Sequence, residues 1–559
     1  MKRLPLIAAI LVSLFVVAGA ILTCSAQTIA FAGAEGDGAT ACISGSSWTI
    51  LTVTSLSNSG AGTLRQAAQV TSGNRIIIFL TGGTITLQTN INISNPFCQI
   101  SGQTAPGDGI AIRGAGFKVI THDVIIRGLR IRVGDSATGE DPSERRATWT
   151  ATGSYNVIYD HCSFYWTIDT QHLVQYDTYN VTFQYCIIAE PLNNSIHAKG
   201  SATIPGASAH GDSFNADSSD GVTLAHCLIW SGNARNPQLA TNTQMKMVGC
   251  IIGNYGNSAV EVQERSKLDA MGNIFIRGTN SPDTNDVKEF QMAGSATDRL
   301  FLWRNIGRSH PTELAANEWL MVDGSEATYR NTALNRAEPT RPASQYTTTG
   351  DVALNWVLDN VGAIHPSRDA IDAAVIAEVR AQTGSIKDCV EQGVTIYWPS
   401  GTATSGSAPR TVTIPASPGG VTGNRYTGKT IELDISPLDG TYETSRTILT
   451  NTVPLGGDIE IVVTADWTTT PSATSLYRIL NPCTSNYTTG YGTYSAGSAP
   501  TDTDADLLSD VAELWLTGGA STTSATVTGD LDSDGYENVE DWINDYYYPH
   551  LSPYLTKGN

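Results

Sequence analysis

Basic residues are scarce in this chain of 559 residues. Only 33 lysines and arginines stand against 53 aspartates and glutamates, which gives a formal net charge of −20. Nucleic-acid binding needs a basic face, so this balance argues against a nucleic-acid partner. Charged residues of both signs make up 15% of the chain and hydrophobic residues 41%, a composition that also excludes a disordered protein. The sequence therefore predicts an acidic, folded protein with enough apolar material for a core.

Long apolar runs are absent outside the N-terminus, which predicts that the mature protein has no membrane span. The N-terminus itself carries Lys2 and Arg3, then an apolar stretch over 6–22, then the small pair Ser25-Ala26. This order is typical of a secretory signal peptide. We expect residues 1–26 to be removed and the protein to be extracellular.

Cysteine is limited to nine residues, one of which, Cys24, lies inside the predicted signal peptide. Cys389 and Cys483 flank a separate segment, and in an exported protein they could pair. Four others fall at one position of an internal repeat, where we expect a buried stack of thiols rather than bridges. They are Cys162, Cys186, Cys227 and Cys250.

The internal repeat is the main organisational signal. Six segments align without gaps, at 122–131, 155–164, 179–188, 220–229, 243–252 and 266–275. Their third residues are 33 (124 to 157), 24 (157 to 181), 41 (181 to 222), 23 (222 to 245) and 23 (245 to 268) positions apart. Each segment alternates apolar and polar residues, turns, and then shows a second apolar run, so one unit cannot bury its apolar side alone. The pattern predicts the rungs of a parallel β-helix, since the leucine-rich repeat consensus is missing.

The composition and pattern of the sequence change after the repeats, and we divide the chain into segments on that basis. An amphipathic helix is predicted over 369–382, where apolar residues recur on one face. We expect a β-helix over 27–388, a β-rich, sandwich-like module over 389–485, a linker over 486–500 and an acidic tail over 501–559. The fold class is therefore all-β.

Six strings in the first two thirds of the chain resemble secreted pectate lyases. They are FAGAEG at 31–36, SNSGAGTLR at 57–65, GQTAPGDGIAIR at 102–113, DHCS at 160–163, GNARNP at 232–237 and SRDAID at 367–372. The resemblance covers about residues 29–388, in order. It implies a right-handed parallel β-helix and β-elimination of a uronate polymer, in which an arginine takes the C5 proton and calcium neutralises the sugar carboxylate.

The resemblance also implies roles for individual residues. Arg235 stands where the family has its catalytic arginine, and Lys199 resembles its substrate-contacting lysine. Asp169 matches a calcium-binding acidic position, and Glu190, on the next rung, is expected to face the same groove. The residues expected to contact substrate are His197, His210, Arg127 and Arg130. Asp160 and His161 open a hallmark motif that is expected to be structural.

Part of the family's calcium shell is missing from this sequence. An acidic ligand upstream of the Asp160 motif is replaced by Arg146 or Ala147, and a further acidic position by Leu173. Three alternatives remain open. The substrate supplies more of the coordination, Arg145 and Arg146 replace the charge of the metal, or catalysis has been lost.

The acidic tail carries two stretches with the spacing of calcium-binding loops. The stronger has Gly535 at its sharp turn and ligands at Asp530, Asp532, Asp534, Asn538, Glu540 and Asp541. The weaker has Asp502, Asp504, Asp506, Asp510 and Glu513. Calcium is the expected cofactor, and folding of the tail is expected to depend on it.

Two functions are compatible with these features, and a third, hydrolysis, is disfavoured. The leading hypothesis is an extracellular lyase acting on polygalacturonate or a related uronate polymer, with an acidic polysaccharide as its partner and a monomer as its form. The alternative is a non-catalytic β-helix that binds glycan or serves as a surface or adhesion protein. Hydrolysis would need closely set catalytic carboxylates, and no such cluster falls on consecutive rungs of the repeat.

Overall fold

The computed structural model describes most of the first two thirds of the chain and parts of the rest. The described residues are 29–41, 49–136, 138–193, 195–197, 210–282, 288–292, 295–312, 315, 317–335, 350–390, 395–408, 410–414, 430–434, 444–452, 459–482, 494–510, 512–513, 526, 531 and 537–545. The predicted signal peptide lies outside them.

Three ladders of parallel strands form the body of the molecule, and the chain visits them in a constant order. The strands of ladder one are Thr49–Val53, Arg75–Phe79, Cys98–Ser101, His122–Arg127, Tyr155–Asp160, the later parts of His172–Gln184 and Phe214–Ala225, Gln244–Val248, Lys267–Met271 and Arg299–Trp303. Those of ladder two are Gly83–Thr86, Ile110–Arg113, Arg130–Arg132, Ser163–Tyr165, Ile187–Ala189, Leu228–Trp230, Ile251–Gly253 and Ile274–Ile276. Those of ladder three are Ile91–Ile93, Phe117–Val119, Thr148–Thr150, the earlier parts of His172–Gln184 and Phe214–Ala225, Gln238–Ala240, Val260–Val262, Phe290–Met292 and Val322–Asp323. A chain that returns to the same three ladders in the same order is a parallel β-helix.

The register confirms the repeat that the sequence predicts. The third residues of the six segments pair in succession along ladder one, Val124 with Val157, then Val181, Val222, Met245 and Leu268. These residues point inward, and one continuous apolar core fills the coil. Stacking buries the apolar side that a single rung would leave in water.

The thiol stack is also confirmed. Cys162, Cys186, Cys227 and Cys250 are fully buried and are not disulfide-bonded. Asn273 and Asn305 continue their column, and the side-chain oxygen of each accepts from the backbone of the rung before it. Cys389 is disulfide-bonded, and Cys483 lies outside the described residues.

Among the described residues, four α-helices accompany the strands: α1 Glu326–Tyr329, α2 Gly350–Asn360, α3 Ala370–Ala381 and α4 Asn538–Asp545. α3 confirms the predicted amphipathic helix, with Asp369 as its N-cap and Gln382 as its left-handed C-cap. α2 was not predicted. Together α2 and α3 cover the outer face of ladder two, where Val357, Leu358, Val375 and Val379 join one apolar cluster. Shorter helical turns occupy Asp37–Thr40, Gln66–Val70, Gly102–Thr104, Pro142–Glu144 and Glu318–Met321.

A second, antiparallel sheet lies beyond the β-helix in sequence. Its strands are Thr395–Thr402, Ser405–Ala408, Thr411–Ile414, Thr430–Asp434, Thr444–Thr452, Ile459–Val463 and Leu476–Pro482. It buries a core of its own, which includes Val412, Ile431 and Ile461. The predicted domain boundaries, the sandwich-like form of this module and the right-handed sense of the coil stay predictions.

The last described segments lie against the β-helix. Val539 and Ile543 of α4 pack on Ile76 and Ile78, on the outer face of ladder one. The backbone nitrogen of Ser495, within the predicted linker, donates to Asp108 over 2.8 Å. No helix among the described residues has the length and apolarity to cross a membrane.

Candidate active site

The candidate site is built from one kind of turn, which leads from ladder two to ladder three, on three consecutive rungs. The first turn carries Asp169, the second His197 and His210, and the third Arg235. Backbone bonds join the turns: the nitrogen of Gln171 donates to Asp212 and that of Phe214 to Arg235, both over 2.9 Å. Side chains from different rungs therefore meet on one flank.

Asp169 is the centre of the cluster. It is buried, and the Arg146 guanidinium pairs with its Oδ2. Nε2 of His197 lies 3.5 Å from Oδ2, and Nε2 of His210 lies 3.6 Å from Oδ1. Burial opposes ionisation, but the hydrogen bond from His197 and the charge of Arg146 outweigh it and lower the pKa of Asp169 to about 2. The carboxylate is therefore charged at neutral pH.

The two histidines lie directly against the carboxylate of Asp169. Their rings stack with centroids 4.4 Å apart and planes 10° from parallel, and both are buried. Both histidines are expected from the sequence to bind substrate, and in the structure they are partners of a carboxylate. Lys199 lies in the stretch between them, outside the described residues.

Arg235 reaches back toward the same cluster. Its Nε lies 3.3 Å from Oδ2 of Asp212, and its Nη1 donates to Oγ1 of Thr170 over 3.3 Å. The backbone nitrogen of Thr170 donates to Oδ1 of Asp169 over 2.6 Å, so one residue links the two groups. The side chain of Arg235 is 31% exposed, so part of it is accessible on this flank.

Two residues of this cluster were missed or only partly recognised from the sequence. Asp212 was not singled out, although it directly follows the His210-Gly211 pair. Arg146 was noted as a departure from the family, and the structure brings it onto Asp169, 23 positions away in sequence. Arg145 instead donates to the backbone oxygens of Glu140 and Ser136, both over 2.8 Å.

Glu190 is not brought to Asp169, although it begins the second turn. Its Oε2 accepts from Nε1 of Trp166 over 2.8 Å, and its Oε1 lies 3.5 Å from Nζ of Lys387. It is buried on the side that α3 covers, where burial first and the charge of Glu190 second raise the pKa of Glu378. The expectation that Glu190 shares a groove with Asp169 is not supported by these contacts.

Arg127 and Arg130 do not have the exposed position that a substrate contact needs, and this corrects their expected role. Both are fully buried. Arg127 pairs with Asp160 over 2.8 Å and donates to Oδ1 of Asn544 in α4 over 2.6 Å. Arg130 donates to the backbone oxygens of Ala363 and Ser367. Burial of a charge is tolerated only with such partners, so both arginines hold the fold together.

The tail acids are only partly described. Asp502, Asp504 and Asp506 bring carboxylate oxygens within 4.8 Å of one another. Asp510 accepts from the nitrogen of Thr503 over 2.7 Å, and Glu513 is buried. Asp530, Asp532 and Asp534 lie outside the described residues. Asn538 begins α4, where its Oδ1 accepts from Leu531 over 3.0 Å, and Glu540 and Asp541 are buried in the same helix.

The donors around Asp169 do not fit calcium. Calcium takes six to eight oxygen ligands. Here one carboxylate faces two imidazole nitrogens, and a guanidinium already neutralises it. The calcium that the family resemblance implies at this position is therefore not supported by the described residues around Asp169.

Comparison with known proteins identifies relatives for the β-helix portion. No protein-family model matches the chain. A probable pectate lyase C of Aspergillus fumigatus is 30% identical over 374 residues, which is 65% of this chain and 81% of the relative. A probable pectate lyase C of Aspergillus terreus is 33% identical over 362 residues, 63% of this chain and 77% of the relative.

Solved structures were compared as well. A pectate lyase from Bacillus sp. N165 in complex with trigalacturonate has a TM-score of 0.38 and 15% identity, over 59% of this chain and 98% of that chain. The major allergen from cedar pollen has a TM-score of 0.40 and 15% identity, over 59% of this chain and 92% of that chain.

Proposed function

The chain belongs to the pectate lyase family, and from that membership we propose that it cleaves polygalacturonate or a related uronate polymer by β-elimination. The two fungal relatives reported above are both named as pectate lyases, so the non-catalytic alternative is not favoured. The observation that carries the assignment of the site is the position of Arg235. It is partly exposed, and it lies on the flank where the two preceding rungs bring Asp169, His197 and His210 together.

In the proposed reaction Arg235 takes the C5 proton of the sugar. The electron pair of the C5–H bond forms the C4=C5 double bond, the bond from C4 to the glycosidic oxygen breaks, and that oxygen takes up a proton. A guanidinium is normally always protonated. The role therefore requires that Arg235 be neutral in the enzyme–substrate complex. The carboxylate of Asp212 holds the side chain in place, although by itself it favours the charged guanidinium.

The sugar carboxylate must be neutralised for the C5 proton to become acidic. The donors at Asp169 do not fit calcium, so no step is assigned to that ion. Arg146 already brings a positive charge to Asp169, which favours the alternative that an arginine replaces the charge of the metal. Lys199 remains the proposed substrate contact from the family resemblance, outside the described residues.

A direct assay tests both the activity and the base. Purified protein is incubated with polygalacturonate, and the ultraviolet absorbance of the unsaturated product is followed. We expect activity in the wild type and a loss of at least about a hundredfold in Arg235→Ala, the usual scale for removing a proton-transfer group. Arg330→Ala is the matched control, because Arg330 is exposed and pairs with Glu326, four positions earlier in the sequence. New reducing ends without unsaturated product would instead identify a hydrolase.

We also propose where the protein acts, where it binds calcium and in what oligomeric form. The predicted signal peptide at 1–26 supports export, and the tail acids support calcium binding away from Asp169. We expect an extracellular monomer. Light scattering on the protein secreted by its host cells measures its oligomeric form, and N-terminal sequencing of the same protein gives the position of signal cleavage.

A further inference from the structure

The polar atoms of Asp169, His197 and His210 have the mutual spacing of metal ligands. One ligand atom from each lies within 4.8 Å of the other two. The nearest imidazole nitrogens lie 3.5 and 3.6 Å from the carboxylate oxygens. In a tetrahedral site with bonds of about 2.0–2.1 Å, neighbouring ligand atoms lie about 3.3 Å apart. An ion placed between the three groups would need only small movements of the side chains.

The chemistry of these donors selects the class of ion. Two imidazole nitrogens and one carboxylate oxygen suit zinc and related divalent transition metals, whereas calcium and magnesium prefer oxygen alone. The stacked rings present their Nε2 atoms to the same carboxylate, and all three residues are buried. Three protein ligands leave a fourth position for water or another ligand, as in catalytic rather than structural zinc sites.

Arg146 competes with an ion for this place. Its guanidinium contacts Oδ2 of Asp169, so a cation bound there would be repelled and the guanidinium must turn away. An alternative partner is at hand, because Nη1 of Arg146 lies 2.8 Å from Oε2 of Glu144, whose side chain is 47% exposed. Metal binding and the pairing of Arg146 with Asp169 should therefore exclude each other.

We propose that Asp169, His197 and His210 bind a divalent transition-metal cation of the zinc class, and that the ion displaces Arg146 from Asp169. The site is distinct in chemistry from the oxygen-rich sites predicted in the tail. It does not depend on the proposed lyase activity, because binding can be measured without substrate.

Cobalt serves as the probe, since its visible absorption reports both nitrogen ligation and coordination number. The full-length protein, made without a histidine tag and stripped of metal, is titrated with Co²⁺ in the presence of excess Ca²⁺, which occupies oxygen-only sites. We expect one equivalent of Co²⁺ to give the intense spectrum of a four- or five-coordinate site. His197→Gln and His210→Gln should each weaken binding by roughly tenfold or more.

The matched control is His122→Gln, because His122 stacks on Tyr155 far from Asp169 in the coil. It should bind Co²⁺ as the wild type does. A wild-type spectrum typical of six oxygen ligands would overturn the proposal, and so would binding by both site variants that is as tight as that of the wild type.

Arg146→Gln gives a test that does not depend on removing a ligand. Without the competing guanidinium we expect Co²⁺ to bind several-fold more tightly, with the same spectrum. Unchanged or weaker binding in this variant would show that Arg146 and the ion do not compete, which contradicts the displacement. Circular dichroism of each variant establishes that it is folded.

Discussion

At the scale of single residues, burial decides which charged side chains hold the fold and which face a ligand. Arg127, Arg130 and Arg132 are fully buried, whereas the side chain of Arg235 is 31% exposed. Removing a charge from water costs several kcal/mol unless partners compensate for it. The buried arginines accordingly reach carboxylates or several backbone oxygens, and Arg235 keeps one carboxylate and an accessible face.

His172 gives a prediction of pH dependence. It lies among Phe164, Phe183 and Phe214, its Nδ1 is 2.8 Å from Oγ1 of Thr148, and burial lowers its pKa well below 6.5. The unfolded chain therefore binds a proton below about pH 6.5 that the folded chain does not, so stability falls as the pH falls. Between pH 7 and pH 5 this residue should remove up to about 2 kcal/mol of unfolding free energy.

Urea unfolding of the wild type and His172→Gln at both pH values measures this effect. We expect the variant to be less stable at pH 7 but to lose less on acidification. Equal losses in the two proteins would contradict the assignment to His172.

At the scale of elements, each turn between ladder one and ladder two uses a left-handed residue directly before the thiol column. His161, Tyr185 and His226 adopt positive φ there, and Gly249 does so on the next rung. Left-handed backbone is uncommon for residues other than glycine. The structural role expected for the Asp160-His161 motif agrees with this geometry, because Asp160 pairs with Arg127 while His161 makes the turn.

α3 depends on the charge at its N-terminus, which leads to a second prediction. Asp369 accepts from the nitrogens of Ile371 and Asp372, and Nη1 of Arg132 lies 2.6 Å from its Oδ2. Asp369→Ala removes the cap, worth about 1 kcal/mol, and also takes one partner from a fully buried arginine. We expect the unfolding free energy to fall by about 3 kcal/mol.

Asp359→Ala is the control for α3, since its ion pair with Arg380 is exposed on both sides. Such pairs contribute at most about 1 kcal/mol. Thermal unfolding should separate the two variants clearly, and comparable losses would mean that the Asp369 contacts carry no special weight.

At the scale of the whole molecule, the C-terminal helix covers part of the coil. α4 packs Val539 and Ile543 on Ile76 and Ile78, residues more than 400 positions earlier, and Asn544 bonds with Arg127. The predicted calcium loop that starts at Asp530 runs directly into this helix. Binding of calcium and docking of α4 should therefore be linked.

Limited proteolysis tests this linkage. With calcium we expect the tail over 501–559 to resist cleavage, and with a calcium chelator we expect cuts there while the β-helix survives. Ile543→Asp should be cut even with calcium, because the docking surface is lost. Equal protection of the tail with calcium and with the chelator would show that docking needs no calcium.

The sequence by itself determined the β-helix, its register over six rungs, the thiol column and the helix α3. These features follow from the local alternation of polar and apolar residues and from the spacings between neighbouring rungs. Both patterns are present in the sequence itself. The same spacings predict that Asp169, Glu190 and Arg235 lie on one flank.

Only the tertiary structure decided where their neighbours point. Glu190 accepts from Trp166, Arg146 pairs with Asp169, and Asp212 pairs with Arg235. Arg127 is buried and donates to Asn544 of α4. These outcomes depend on side-chain direction at left-handed turns and on segments that are distant in sequence. Neither follows from the repeat. The β-helix was therefore predictable from the sequence, whereas the contacts of the side chains on its flank were not.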